Sequence, residues 1–369
     1  MNSEKSKELK GTGKLKKAVK AAVFLFLLFV LLLHFAYVVR QVDFRYNKSM
    51  FPSFYNEPEN SIDIVTVGSS ADYQYFNTPV LYEKFGYTSF NLSTALQPPA
   101  AAAYIMTEAE KRQNPQLYIV EVREFIHLSE KNRVKALYCV ADSMDLSLNK
   151  WRMICHGYEG LWDRITAFAD IVKYHGSWAG IDEKALRYWD NRVENKNKCW
   201  NGKSTVKPQT PPEEGTAEEV PLKEHNETEL RFLLEECRKK GREVLFVATP
   251  FVYDDEFQGR ALTLQKIVES YGYRFLNLSR GEEYGVDFET DYYNPNHVNK
   301  WGAEKVTIAL GEYIKKEYNI ETQHTGAVKA DWDAYAAGNR ESMEKGKERD
   351  GNSGGGGADE DGSVSDEMP

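Results

Sequence analysis

The 369-residue chain carries 47 lysines and arginines against 56 aspartates and glutamates, a formal charge of −9. Such an acidic balance offers no basic footprint for nucleic acid, and that class of partner is excluded. With 41% hydrophobic residues the chain can bury one substantial core or two modest ones.

The first predicted element is the run Ala21 to Val39, which holds no formally charged residue. At about 1.5 Å of rise per residue it nearly matches the roughly 30 Å of hydrocarbon that a spanning helix crosses. Residues 1–20 read as a basic tail, with Lys5, Lys7, Lys10, Lys14, Lys16, Lys17 and Lys20, whereas Arg40, Arg45 and Lys48 beyond the run are mixed with Asp43. The positive-inside rule then places the tail in the cytoplasm and the globular part outside the cell membrane. A cleaved signal peptide is the competing reading, but the stretch is long and aromatic, and His34 to Val39 is a poor small-residue cleavage site. Residues 40–60 are read as a linker.

From Ser61 onward strand-like and helix-like stretches alternate. The runs Ile62 to Val67, Ser89 to Leu92, Leu117 to Val122, Val244 to Ala248 and Tyr273 to Leu278 are predicted strands of a βαβ protein. Helices are predicted over Pro79 to Phe85, Ala100 to Arg112, Glu227 to Lys240, Phe257 to Tyr271 and Gly302 to Tyr318. The expected fold class is α/β: a parallel sheet of about five strands with helices on both faces, spanning residues 61–320.

Residues 126–224 interrupt this rhythm and read as a largely helical insertion, with Trp151, Trp162, Trp178, Trp189 and Trp200 expected in its core ahead of the alternative, a sugar-stacking platform. Lys203 to Leu222, rich in proline and acidic residues, reads as a flexible surface loop. Residues 321–369 are expected to be a disordered acidic and glycine-rich tail. Of Cys139, Cys155, Cys199 and Cys237, the last is expected as a small buried residue in a helix. A disulfide among the other three is left open, with no pairing deducible. Asp254-Asp255-Glu256 reads as helix capping rather than a metal site, and no ligand set has metal-binding spacing.

Two remote segments carry the candidate chemistry. Gly68-Ser69-Ser70 follows the first predicted strand, and Asn294-Pro295-Asn296-His297-Val298-Asn299 precedes the last predicted helix. Both belong at the carboxyl edge of a parallel sheet, where ligands bind. A serine hydroxyl needs an adjacent base, usually histidine, whose ring needs in turn an acceptor that fixes its tautomer. Ser70 and His297 supply the first two, and Asp291 or Asn294 the third. Asn294 can orient an imidazole but lacks the charge to stabilise an imidazolium, so Asp291 is the preferred partner. Glu121 and Arg123 read either as an ion pair, with each other or with the insertion, or as substrate contacts, and Asn91 as a strand-end hydrogen bonder ahead of an oxyanion donor.

These segments resemble the SGNH, or GDSL-like, hydrolase superfamily, in which a Gly-Asp-Ser segment carries the nucleophile and a C-terminal Asp-x-x-His segment the rest of the triad. Val67-Gly68-Ser69-Ser70, Ser89-Phe90-Asn91-Leu92-Ser93, Ala248-Thr249-Pro250 and His297 to Ala303 are the recognisable pieces, within a resemblance spanning Ser61 to Tyr318. More closely, the chain is similar to membrane-anchored members related to the teichoic-acid D-alanylation protein and to alginate O-acetylation proteins. The resemblance implies a flavodoxin-like, SGNH-type three-layer sandwich, Ser70 as nucleophile, His297 as base, and the backbone N–H groups of Ser70 and Ser93 as oxyanion donors. It also implies a cell-envelope polysaccharide or teichoic-acid-like substrate, a membrane-bound O-acyltransferase as partner, and no cofactor. The chain departs from the pattern at Ser69, Ser93 and Asn294. It also lacks the Gly-x-Asn-Asp segment, where Arg123 stands as an alternative binder of an oxyanion or an anionic substrate group. The expected activity is that of an esterase or O-acyltransferase; the rival is an inactive module of the same kind that binds envelope glycan or scaffolds the acyltransferase.

Overall fold

The computed structural model describes residues 2–43, 50–127, 130–174, 176, 180–181, 183–186, 198–212, 217–322 and 324–350. In chain order the first elements are α1 (Asn2–Asp43), α2 (Met50–Phe54), β1 (Ile64–Val67), α3 (Ser70–Tyr73), α4 (Thr78–Phe85), β2 (Ser89–Asn91), α5 (Ala102–Ala109) and β3 (Leu117–Glu121). Then come α6 (Arg123–His127), α7 (Glu130–Ser143), α8 (Leu148–Gly157), α9 (Leu161–Phe168), α10 (Asp170–Lys173) and α11 (Glu183–Leu186). The chain closes with α12 (Glu224–Lys240), β4 (Val244–Ala248), α13 (Asp255–Ser270), β5 (Arg274–Asn277), β6 (Tyr292–Asn294), β7 (His297–Val298), α14 (Lys300–Glu317) and α15 (Gly326–Asp350).

Two units divide these elements, one formed by Met1–Phe44 with Leu161–Asn191 and the other by Arg45–Gly160 with Arg192–Pro369. In the first, α1 carries a 23-residue stretch, Lys14–Ala36, long and apolar enough to cross a membrane, and the most apolar part of it is entirely unburied. The α10 and α11 helices rest against α1.

The second unit is α/β. Its five strands are all parallel, in the order β2-β1-β3-β4-β5. The strands are buried on both faces except at the β5 edge, as their near-continuous apolar runs require. Period-two alternation sorts the side chains. Ile64, Leu117, Ile119, Leu245, Val247 and Leu276 share one core cluster with Leu81 of α4 and Val306, Leu310 and Ile314 of α14. On the opposite face α5 meets β1, α13 meets β5, and α12 lies beside α5 and α13. Asp254 caps α13 by accepting the Phe257 N–H at 2.8 Å, while glycines with φ of +79° and +64° end α4 and α12.

The order matters for function. From β1 the chain moves to β2 on one side, then returns to place β3 on the other side of β1. The carboxyl ends of β1 and β3 therefore border the crevice where α/β sheets of this kind bind ligands.

Several expectations need correction. Residues 50–60 are not a free linker, because α2 buries Met50, Phe51 and Phe54 completely. Residues 326–350 are not disordered: they form α15, which packs on α4 and buries Trp332 and Ala336. Residues 351–369 lie outside the described residues. The insertion is helical through α6 to α11, but the described residues between 200 and 223 hold no regular element. That segment is nevertheless held, with Lys207 N–H bonded to Tyr292 O and Gln209 N–H to Phe288 O, both at 2.8 Å. Trp162 is 68% exposed and Trp151 and Trp200 are half-buried, so the described tryptophans of the insertion are not core residues; Trp178 and Trp189 lie outside the described residues. All four cysteines are described, Cys237 is buried as expected, and none of them forms a disulfide.

Candidate functional site

At the end of β1 the backbone turns within two residues. A Cβ on Gly68 would sit 2.6 Å from Glu121 Cβ and 2.9 Å from Asp72 Cβ, so only glycine lets β1 pass this close to β3 and α3. Ser69 then takes the N-cap of α3, its Oγ accepting the Ala71 N–H at 3.4 Å and donating to Glu121 Oε2 at 3.1 Å. With Ser69 turned inward, Ser70 becomes the first helical residue. Its own N–H occupies a position that has no intrahelical acceptor.

The histidine arrives from the other end of the chain on a feature the sequence did not announce, the two-stranded hairpin β6–β7. Asn294 and His297 are direct antiparallel partners in it, with Pro295 and Asn296 as the turn. Side chains of such a pair are neighbours on one face, and His297 Nδ1 lies 3.1 Å from Asn294 Oδ1. On the ring's other side, His297 Nε2 is 2.7 Å from Ser70 Oγ.

The tautomer follows from one backbone group. Asn294 Oδ1 accepts the Asn296 N–H at 2.9 Å, which fixes that atom as the amide oxygen. His297 Nδ1 must then be the donor to it. Nε2 is left as the acceptor for the Ser70 hydroxyl, the arrangement a general base requires. Burial, and after it the positive charge of Arg123, pushes the His297 pKa well below its ordinary value. The ring is therefore neutral at pH 7 and free to take a proton.

Asp291 does not serve the histidine. Its carboxylate accepts the Asp287 N–H at 2.7 Å and the Lys305 ammonium at 2.5 Å, and its carbonyl accepts the Asn299 N–H at 2.7 Å. These bonds tie the loop before the hairpin to α14. Gly302 on α14 admits that approach, since a Cβ there would lie 2.6 Å from Asp291 O.

Arg123 does not reach into a binding site. Its guanidinium donates to Asn296 O at 2.8 Å, Tyr75 Oη at 3.2 Å, Thr249 Oγ1 and Pro250 O at 3.3 Å, and lies 4.7 Å from the centre of the Phe251 ring. Its N–H, not its charge, bonds Glu121 Oε1, at 2.9 Å. Asn91 is likewise engaged, donating to Phe76 O at 2.9 Å and accepting from Thr66 Oγ1 at 3.0 Å. The Ser93 side chain is fully buried and is one of the influences on the Asp72 carboxyl.

Two contributors have no signal in the sequence. Tyr75 Oη bonds Pro250 O at 2.6 Å and Asn296 O at 2.9 Å and accepts the Val298 N–H at 3.2 Å, so with Arg123 it clamps the residues on either side of His297. Tyr293 stacks on the His297 ring, with centroids 5.5 Å apart and planes 13° apart, and its hydroxyl meets Gln74 Oε1 at 2.5 Å. Beneath the serine turn lie three buried carboxyl groups, Asp72, Glu121 and Glu124. Burial is the first cause raising each of their pKa values; the Glu121 charge is the next upward influence on Glu124, which is pushed up to about 7.

Among the described residues no group of three or more histidine, cysteine, aspartate or glutamate side chains can hold a metal ion. No protein-family model matches the chain, and no curated protein matches it.

Proposed function

We propose that the chain is an SGNH-like serine esterase or O-acyltransferase with a flavodoxin-like sandwich, anchored by α1 and acting outside the cell on acyl esters of an envelope polysaccharide or teichoic-acid-like polymer. The observation that carries this reading is the 2.7 Å contact between Ser70 Oγ and His297 Nε2, which joins residues 227 positions apart at the crevice between β1 and β3. Ser70 Oγ attacks the ester carbonyl as its proton passes to His297 Nε2. The C–O bond of the ester breaks, and the leaving alcohol takes that proton. Water or a sugar hydroxyl then repeats the sequence on the acyl-serine, with its proton going to His297 and back to Ser70. Asn294 holds the ring and the Ser70 N–H faces the developing oxyanion, with Ser93 N–H as the second donor expected from the resemblance. The lysines ahead of α1 support an extracytoplasmic domain. A single spanning helix cannot conduct an acyl group, which agrees with a membrane-bound O-acyltransferase as partner.

One observation favours a second reading, that of a weak or inactive module that binds glycan or scaffolds the acyltransferase. The histidine rests on an uncharged amide, and Arg123 and Asn91 are occupied structurally. The full chain in detergent, treated with a fluorophosphonate probe, separates the two. Labelling lost in Ser70→Ala and His297→Ala but kept in Ser69→Ala supports catalysis. Absence of labelling in the parent chain, with glycan binding retained, establishes the module.

A further inference from the structure

Within the first unit, large apolar side chains are exposed in a place that globular packing does not explain. On α9, Leu161 and Trp162 are each 68% exposed and Ile165 is 37% exposed. At 3.6 residues per turn these three fall within an arc of about 100°, while the buried Ala167 lies on the opposite side. Thr166, Asp163, Arg164 and the half-buried Phe168 occupy the rest of the circumference. Leu186 of α11 adds a fourth side chain at 52% exposure. An exposed apolar stripe that includes a tryptophan, with charged residues on the other side of the helix, is the composition of a helix lying in a membrane interface.

What covers the stripe is indicated by α1. The exposed apolar shaft of that helix runs to Leu32, its residues become half-buried from Leu33, and Val38 and Val39 are fully covered. Arg40 and Asp43 follow, so the hydrocarbon boundary falls between Ala36 and Arg40. α10 and α11 pack on α1, and among the residues of α1 whose burial is described the fully covered ones, Val38 and Val39, are at this end. α9 leads into α10 through Ala169 alone. The stripe is thus one residue along the chain from a helix packed on α1, the helix that enters the headgroup region at this end. Tryptophan is favoured there because its ring is apolar and its N–H remains wet.

We infer that the Leu161–Trp162–Ile165 face of α9, together with Leu186, lies in the lipid interface beside α1, giving this unit a second membrane contact besides the spanning helix. The inference rests on the reading of α1 as a membrane anchor. Its consequence is that α9 to α11 do not swing freely around one tether.

The full chain labelled with 5-fluorotryptophan and placed in phosphatidylcholine–phosphatidylglycerol nanodiscs provides the test. Trp162→Phe identifies the Trp162 fluorine resonance among the seven. That resonance is expected to be broadened beyond detection by 5-doxyl lipid and to survive a soluble gadolinium chelate, whereas buried Trp332 survives both. Broadening by gadolinium alone means water covers the stripe, and survival against both reagents means protein covers it; either result overturns the lipid contact. Flotation of the same chain with vesicles reports on α1 separately. A chain that floats while Trp162 meets gadolinium loses only this inference, and a chain that does not float loses the anchor and this inference together.

Discussion

Asn294 is the residue on which the chemistry turns. Its amide oxygen selects the correct His297 tautomer through two hydrogen bonds but brings no charge to stabilise an imidazolium. In a serine protease the exchange of the corresponding aspartate for asparagine costs about 10⁴ in rate. Asn294→Asp is therefore expected to raise kcat/KM for p-nitrophenyl acetate at pH 8 by at least about tenfold. The new carboxylate favours protonated His297, so the acid limb of the pH–rate profile should move upward from its place below the ordinary histidine range. An unchanged rate in a folded Asn294→Asp variant would show that the imidazolium is not limiting. Nothing in the linear order distinguished Asn294 from Asp291 as the ring's partner. The hairpin register decided it, together with Lys305, which claims Asp291.

At the scale of elements, the strands and helices of the sheet were legible because their side chains repeat with period two or 3.6 and end on turn residues. Strand β4 matches its predicted bounds, and the other four fall within theirs. The β6–β7 hairpin escaped because strands of three and two residues leave too short a pattern to read. The α15 helix escaped for a different reason. Its exposed face is charged, and its buried side chains are few: Trp332, Ala336, Asn339 and Met343 recur at helical spacing within an otherwise polar segment. The helix meets α4, where the Tyr82 ring lies tilted 5.3 Å from that of Trp332, Tyr82 Oη donates to Asp333 Oδ1 at 2.8 Å and Thr78 bonds Tyr335 at 2.9 Å. Trp332→Ala removes the largest fully buried side chain of this contact and is expected to cost α15 about 3–5 kcal/mol. Hydrogen exchange should then show the α15 amides losing protection, while fluorophosphonate labelling at Ser70 persists. Equal loss of protection throughout the sheet would mean that α15 is integral to the core.

For the whole molecule, the buried carboxyl cluster links stability to pH. The Glu124 pKa of about 7 lies above its ordinary value of 4.5. The unfolded chain therefore gives up that proton first as pH rises, and the stability it supports is complete below about 4.5 and lost as pH climbs through 7. The depressed His297 pKa acts in the other direction: its contribution is present above about 6.5 and lost as pH falls. The Glu124 part of the stability is therefore expected to decline between about pH 4.5 and pH 7 and to level off above it, with a total cost on the order of 3 kcal/mol. Glu124→Gln should flatten that decline, measured by calorimetry across the range, and a decline of the same size in the variant would remove Glu124 as its source.

Composition, periodicity and turn chemistry were enough for the α/β class, the five parallel strands, the apolar helix at the N-terminus and the two segments that meet at the sheet edge. Those properties repeat locally or rest on chain order, and so can be read along one dimension. Only the tertiary structure decided that Asn294 rather than Asp291 holds His297, that Arg123 and Tyr75 clamp the histidine turn, and that Trp332 closes a helix onto α4. Each of these depends on which of several chemically suitable partners comes within about 3 Å of a given atom. That is settled by register, by a missing Cβ at Gly68 or Gly302, by the competing bond from Lys305, and by clamping bonds from residues as remote as Tyr75, none of which leaves a mark in the local sequence.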